Sequence, residues 1–528
     1  MTQANDLQNR FIKGELNRRE FMRRMAIIGC ATMVPPLILN NTVMAATPKR
    51  GGRLRMGLAG GAISDTLDPA LLNDWMIMVL NWQLRNCLVE VTHEGKPVPE
   101  LAESWESSAD AETWIFNLRK GVEFHDGKTL EAEDVLFSMN HHRGEDTKSV
   151  ARPYLKAVKE IKADGKHRIV FRLEKGNADF PFYMSDTHLT IVPAGTTDFN
   201  KGIGTGGYTL EDFNPGVRTF VKRNPNYWKQ GRAHFDEIEM LCINDGNART
   251  NALQTKSVDV MNRCELKTAD LLKKRPGIEV IQVTGSLHYT FPMRTDLAPF
   301  DNNDVRLALK YAMDREQLLN MILRGYGSIG NDTPIGPTYQ YYAKDLPQRS
   351  YDPDKAKYHL KKAGLSNHTF TIHASNAAFA GGEDAAILYS EKARKAGLNI
   401  TIKREPKDGY WKNVWMKKPW SMSYYSGKPT EDWMFSQAYS IDSKWNETFW
   451  TNKRFNDLLV EARSELIDEK RRDMYVEMQH IMWNEGGTII PLFGDYVYAI
   501  NKKVKYSELA GNYDMDGLRC SERWWFAG

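Results

Sequence analysis

The sequence predicts an α/β protein with mixed sheets and flanking helices, divided over more than one domain. Three observations carry this. Strand and helix patterns alternate along the chain, which favours layered α/β architecture over an all-helical or all-strand fold. The 528 residues are enough for two or three domains, each with a sizeable core. Apolar residues make up 41% and charged residues 26%, the balance of a globular chain in water rather than of a disordered or membrane-embedded one. No run of eighteen apolar residues predicts a membrane span, and no internal repeat or low-complexity linker interrupts the pattern.

The first 45 residues are predicted to be an export signal. Arg18-Arg19-Glu20-Phe21-Met22-Arg23 matches the twin-arginine pattern. The most apolar stretch, Met25 to Leu39, follows it, and Val43-Met44-Ala45 then offers a cleavage site near Ala45 or Ala46. An alternative processing route is lipidation at Cys30, after Ile27-Ile28-Gly29, although few apolar residues precede it. Residues 1–45 take six bases and three acids from a chain of net charge +4, leaving +1. A near-neutral chain has no electrostatic reason to bind nucleic acid or a membrane surface.

Gly51 to Gly57 predicts a first strand, and Asp74 to Val89 a helix. Thr113 to Leu118 alternates with period two and predicts a strand. His125-Asp126-Gly127-Lys128 predicts a turn, with a helix from about Ala132 whose first turn carries Glu133 and Asp134. The glycine cluster Gly202 to Gly207 is followed by strand patterns around Asn214-Pro215-Gly216, not by a helix, so it does not read as a phosphate cradle. Helices are expected over Asp304 to Met313, after the Asp352-Pro353 cap, and over Tyr389 to Ala396, ended by Gly397. Leu398 to Ile402 predicts a strand, Phe455 to Glu485 two long helices, and Thr488 to Phe493 a strand.

Of the cysteines after residue 45, none forms a Cys-x-x-Cys pair, so no zinc site is predicted. Cys242 and Cys264 flank a short strand–helix–strand pattern and are either a disulfide or two buried thiols. No Gly-x-Ser-x-Gly elbow and no His-Glu-x-x-His motif is present. His141 and His142 are adjacent rather than four apart, which points their rings to different helix faces. The chain is therefore not predicted to be an enzyme, and no cofactor and no metal site is expected.

Several stretches resemble one family. Leu101-Ala102-Glu103-Ser104-Trp105-Glu106 and the run from Trp114 to Gly127 are similar to the signature of solute-binding family 5, the periplasmic dipeptide-, oligopeptide- and nickel-binding proteins. Gly204 to Tyr208, Arg223 to Trp228 and Val305 to Arg315 agree, in order. The sequence departs from the pattern at Gly207, where proline is usual, and at Glu131, where a capping Ser, Thr or Asn is common. The resemblance implies a two-lobed periplasmic-binding-protein fold of the large class, with an extra subdomain and a hinge between the lobes. Lobe I would hold residues 50–287 and 489–528, with the subdomain at about 90–200. Lobe II would hold residues 288–488. The implied function is the periplasmic substrate-binding component of an ABC importer, a monomer that binds a small ligand between its lobes and delivers it to the permease and ATPase. A hinge suits this work, because only the closed state gives the ligand contacts from both lobes.

The resemblance also implies site residues. In Lys428 to Phe435, Asp432 stands where peptide-binding relatives hold the ligand's ammonium; the alternative is an acid answering a helix dipole. The arginine that dipeptide binders use for the ligand's carboxylate has no counterpart between Ser375 and Ser390, where Glu383 and Asp384 stand instead. This favours a cationic ligand; alternatively, the two acids cap a solvated helix. Aromatic residues crowd 410–450; of these, Tyr424, Tyr425 and Trp433 flank Asp432 in sequence and are suited to grip an organic cation. Asp65, in the loop after the first strand, is a further candidate. The expected ligand is a short peptide or a cationic, amine-containing solute. Nickel-chelate uptake and a secreted cofactor-dependent enzyme are the alternatives.

Overall fold

The structure, a computed structural model, describes residues 48–527. The predicted signal, its twin-arginine pair and Cys30 lie outside the described residues.

A nine-stranded mixed sheet forms the spine. Arg53–Leu58 runs parallel to Glu237–Cys242 and to Val260–Met261. Arg218–Arg223 and Tyr208–Asn214 extend one side as an antiparallel hairpin. On the other side lie two long strands, Ile278–Pro292 and Thr488–Asn501, paired antiparallel along nearly their whole length. Ser423–Tyr425 closes that edge. Alternation explains the placement: Leu54, Met56 and Leu58 point into one core with Ile238, Met240, Tyr498 and Trp524.

A four-stranded antiparallel sheet, built from strands between Ala102 and Leu173, carries its own core. Its predicted strand Thr113–Leu118 puts Trp114, Phe116 and Leu118 inward, and Phe116 meets Phe171 and Phe180 at ring-centroid distances of 5.6 and 6.2 Å. The helix Ala132–His141 packs on this sheet. Glu131 begins it without a hydroxyl cap, because Asp134 accepts the Glu131 backbone N–H at 2.9 Å. The remaining chain has separate cores. One surrounds Phe291, Phe370, Tyr389 and Trp420, beside the parallel pair Thr369–Ala374 and Asn399–Arg404. Another lies around Phe435, Phe455 and Tyr475, where the helices Lys453–Ser464 and Asp468–Glu485 pack together. These two groups of cores are the two lobes.

The structure corrects two local expectations and decides a third. The helix capped by Asp74 ends at Leu84, not Val89. Its continuation is blocked by the glycine cluster: Gly206 donates its N–H to the Leu84 carbonyl at 2.9 Å, and a β-carbon at Gly206 would overlap the Leu84–Arg85 backbone. The cluster therefore serves close backbone packing. Cys242 and Cys264 are free thiols, not a disulfide. The rings of His141 and His142 meet edge-on at 5.4 Å, although their partners differ: His141 contacts Asp68 and His142 contacts Ser149.

Candidate functional site

The two long strands are the covalent link between the lobes, and their pairing is interrupted between Val283 and Leu287. A cavity of about 370 Å³ opens beside this interruption, within the range of small-molecule sites. Leu287, Asp495, Tyr496 and Val497 line it from the strands themselves. Trp75, Arg263, Cys264 and Asp514 reach it from one lobe, and Tyr424 and Ser426 from the other.

Each lining residue is fixed locally. Asp74 caps the helix that begins at Trp75 by accepting the Trp75 N–H. The Trp75 ring is wedged edge-on between Tyr496 and Tyr513, at 6.2 and 5.9 Å. Arg263 lies over Trp75 at 5.7 Å and pairs with Asp74 at 3.6 Å. Tyr424 pairs across strands with Tyr289, which ties the second lobe's wall to the first long strand. Three residues further, Gly427 packs so closely on Ser286 that any β-carbon would overlap the serine side chain. Asp514 opens a turn in which Met515, Asp516 and Leu518 all take left-handed backbone angles. Such conformations persist only where surroundings hold them. Here the Asp516 carboxylate accepts the Ala510 N–H, the Arg523 guanidinium and the Trp524 indole N–H at 2.9, 2.9 and 3.1 Å.

The electrostatics of the cavity are acidic. Arg263 and Asp74 answer each other. Asp514 is buried, and its carboxyl is pushed up to about 7 by that burial, with Arg263 and Arg249 pulling the other way. Asp495 is likewise raised by burial; Gln282 donates to its Oδ2 at 2.6 Å, while its Oδ1 has no hydrogen-bond partner. Burial pushes the Cys264 thiol up to about 12, so it is not a nucleophile at neutral pH. The arrangement suits noncovalent capture of a small organic solute. Among the described residues, no group of three or more His, Cys, Asp or Glu gathers to hold a metal.

Of the residues singled out in the sequence, the structure brings Tyr424 to the cavity, 42% exposed. Asp432 is buried elsewhere. Arg463 donates to its carboxylate at 3.1 Å, and burial raises the carboxyl while Arg463 holds it down. Trp433 is buried edge-on against Tyr154 and Tyr183, at 4.4 and 4.8 Å. Tyr425 is buried and donates its hydroxyl to the Trp445 carbonyl at 2.6 Å. Glu383 accepts from Asn376 at 3.0 Å and faces Arg404 at 3.5 Å, and Asp384 is exposed beside it in the first turn of the helix Gly382–Lys395. Asp65 accepts the Ala62 N–H at 2.9 Å, and its carboxyl is raised by burial and then by Asp74. Sequence reasoning missed Trp75, Arg263, Asp495 and Asp514. They come from segments far apart in the chain, and only the acids crowded into Asp514-Met515-Asp516 gave a local signal.

Away from the cavity the lobes touch again. The Trp433 contacts belong to this zone. Arg471 pairs with Asp179 at 2.7 Å, and Ala178 donates its N–H to the Arg463 carbonyl at 2.7 Å.

The profile of the bacterial extracellular solute-binding proteins, family 5, matches residues 96–447. The glutathione-binding protein GsiB of Escherichia coli is 26% identical over 465 residues, covering 84% of this chain and 90% of its own. Heme-binding protein A of Haemophilus influenzae is 29% identical over 314 residues, covering 54% and 57%. Among solved structures, the periplasmic binding protein DppA of Helicobacter pylori, in complex with the peptide STSA, superposes with a TM-score of 0.73 at 23% identity, covering 91% of this chain and 99% of its own. HbpA2 of Haemophilus parasuis gives 0.79 at 21% identity, covering 88% and 99%.

Proposed function

The chain belongs to the family 5 bacterial extracellular solute-binding proteins, and from that premise we propose that it is the periplasmic substrate-binding component of an ABC importer. It captures a small peptide or a cationic, amine-containing solute in the interlobe cleft and delivers it to the membrane permease. One observation supports this most: a cavity of ligand size is walled by residues of both lobes and by both connecting strands. A solute held there touches both lobes, so its binding energy favours the closed state that a transporter reads.

Lobe I then comprises residues 50–287 and 489–528 and lobe II residues 288–488. Residues 1–45 direct export by the twin-arginine route, and the exported chain works as a monomer. Relatives named for glutathione and for heme, and a neighbour holding a peptide, differ in ligand, so the solute follows from the cleft and not from kinship.

A thermal-shift screen of the exported chain with dipeptides, glutathione, diamines, guanidino compounds and nickel–histidine tests the reading. A solute at about 100 times its Kd adds roughly 2.7 kcal/mol of stability, a clear rise in Tm. A rise with a peptide or an amine supports the reading. A rise with nickel–histidine alone assigns the chain to metal uptake instead.

A further inference from the structure

Two acids that line the cleft, Asp514 and Asp495, have no ion-pair partner among the described residues. Asp514 is 4% exposed, and its carboxylate accepts one backbone N–H, from Met515 at 2.8 Å. It makes no ion pair among the described residues, although Arg249 and Arg263 are near enough to act on it through space. Asp495, on the second long strand, has one carboxylate oxygen buried without a partner. Of the residues lining the cavity, Arg263 is the one base; it lies over Trp75 and 3.6 Å from Asp74. A ligand carboxylate entering here would face two acids and one guanidinium that Asp74 shares. A buried carboxylate without a counter-charge is costly, and a ligand that supplies the charge removes that cost. The walls fit the same ligand: Trp75, Tyr496 and Tyr424 present aromatic rings, which attract cations through their quadrupoles and cover a carbon skeleton by area.

We infer that Asp514 marks the subsite for a cationic nitrogen, with Asp495 a second acid on the cavity wall, and that the solute is a compact organic cation without a carboxylate, held against Trp75 and Tyr424. This rests on the solute-binding reading above and narrows it. The site differs from the one that the sequence suggested around Asp432, whose carboxylate is taken by Arg463.

Two measurements on the exported full chain test it. Protein purified from its native periplasm is denatured and the released solute identified by mass spectrometry. Stripped and refolded protein is then titrated calorimetrically with agmatine, putrescine, choline, Ala-Ala and glutathione. The expected results are a released amine, guanidine or quaternary ammonium, and binding of at least one of the three cationic probes. Asp514→Asn should weaken that binding at least tenfold, with the ligand-free Tm not lowered, because the amide removes a buried charge and keeps the shape. If Asp514→Asn does not fold, Asp495→Asn and Tyr424→Ala each carry the test, with an expected weakening of about fivefold. A released peptide or acid, binding of Ala-Ala or glutathione in place of the cations, or cation binding unchanged by all three substitutions overturns this inference and leaves the solute-binding reading standing. Release of no solute together with no binding by any probe overturns that reading as well.

Discussion

Three buried carboxyls set the chemistry at the scale of single residues. Glu431, Glu447 and Asp514 are each pushed up to about 7 by burial. Glu447 accepts from the Thr290 hydroxyl and the Trp415 indole, both at 2.6 Å, and Glu431 accepts the Tyr341 N–H at 2.6 Å. Because the folded protein holds these protons more tightly than the unfolded chain does, their contribution to stability is complete below the unfolded values near 4 and is lost as pH rises through about 7. Glutamine mimics the protonated form. Relative to the native chain, Glu447→Gln should therefore gain stability between pH 5 and pH 8, by about 2–3 kcal/mol on the scale of 1.36 kcal/mol per pKa unit. Urea unfolding at several pH values reads this difference; a constant difference across the range would contradict it. A second expectation concerns Asp514. Cation affinity should rise as pH climbs through about 7 and become flat in Asp514→Asn, as calorimetry at pH 5.5 and 8 would show. These roles were hard to read in the sequence. Asp432 stood in the right motif, but its answering charge, Arg463, comes from a different helix. Asp514, Arg263 and Trp75 gain their meaning only from a cavity that joins distant segments.

Elements were far more legible, because periodicity and capping are local. The strand Thr113–Leu118 and the helix capped by Asp352 and Pro353 lie where the sequence places them. The misplaced helix end has a physical cause, which is close approach of backbone from elsewhere. The helix at Trp75 stops early because the Gly204–Gly206 backbone occupies the space beyond Leu84, and no local pattern reports that. The same physics gives a prediction at the hinge. Gly427 rests on Ser286 with no room for a methyl group, so Gly427→Ala should cost about 1–3 kcal/mol through overpacking and displace Ser426 from the cavity wall. Denaturant unfolding and ligand titration check both effects; a change below about 0.5 kcal/mol in stability, with affinity intact, would contradict the tight contact.

For the whole molecule, the sequence conveyed two lobes and a hinge by family resemblance, but not how the lobes meet. They meet on either side of the cavity, at the long strands and again where Arg471 pairs with Asp179 and Trp433 packs on Tyr154 and Tyr183. Both charges of the Arg471–Asp179 pair are buried, so losing one leaves the other uncompensated in the closed state. Arg471→Gln should shift the protein toward open forms and weaken solute binding about tenfold, equal to about 1.4 kcal/mol, without a substitution inside the cavity. Calorimetry reads the affinity and small-angle scattering the compaction. Affinity within twofold of the native value would show that this contact takes no part in closure.

The position of the solute decides between the two candidate sites, and a crystal structure of the exported protein with its co-purified solute shows it directly. Density enclosed by Trp75, Tyr424, Asp495 and Asp514, with its charged nitrogen toward Asp514, is the predicted result. Density against Asp432 or Glu383, with the cavity beside the long strands filled only by water, would contradict it.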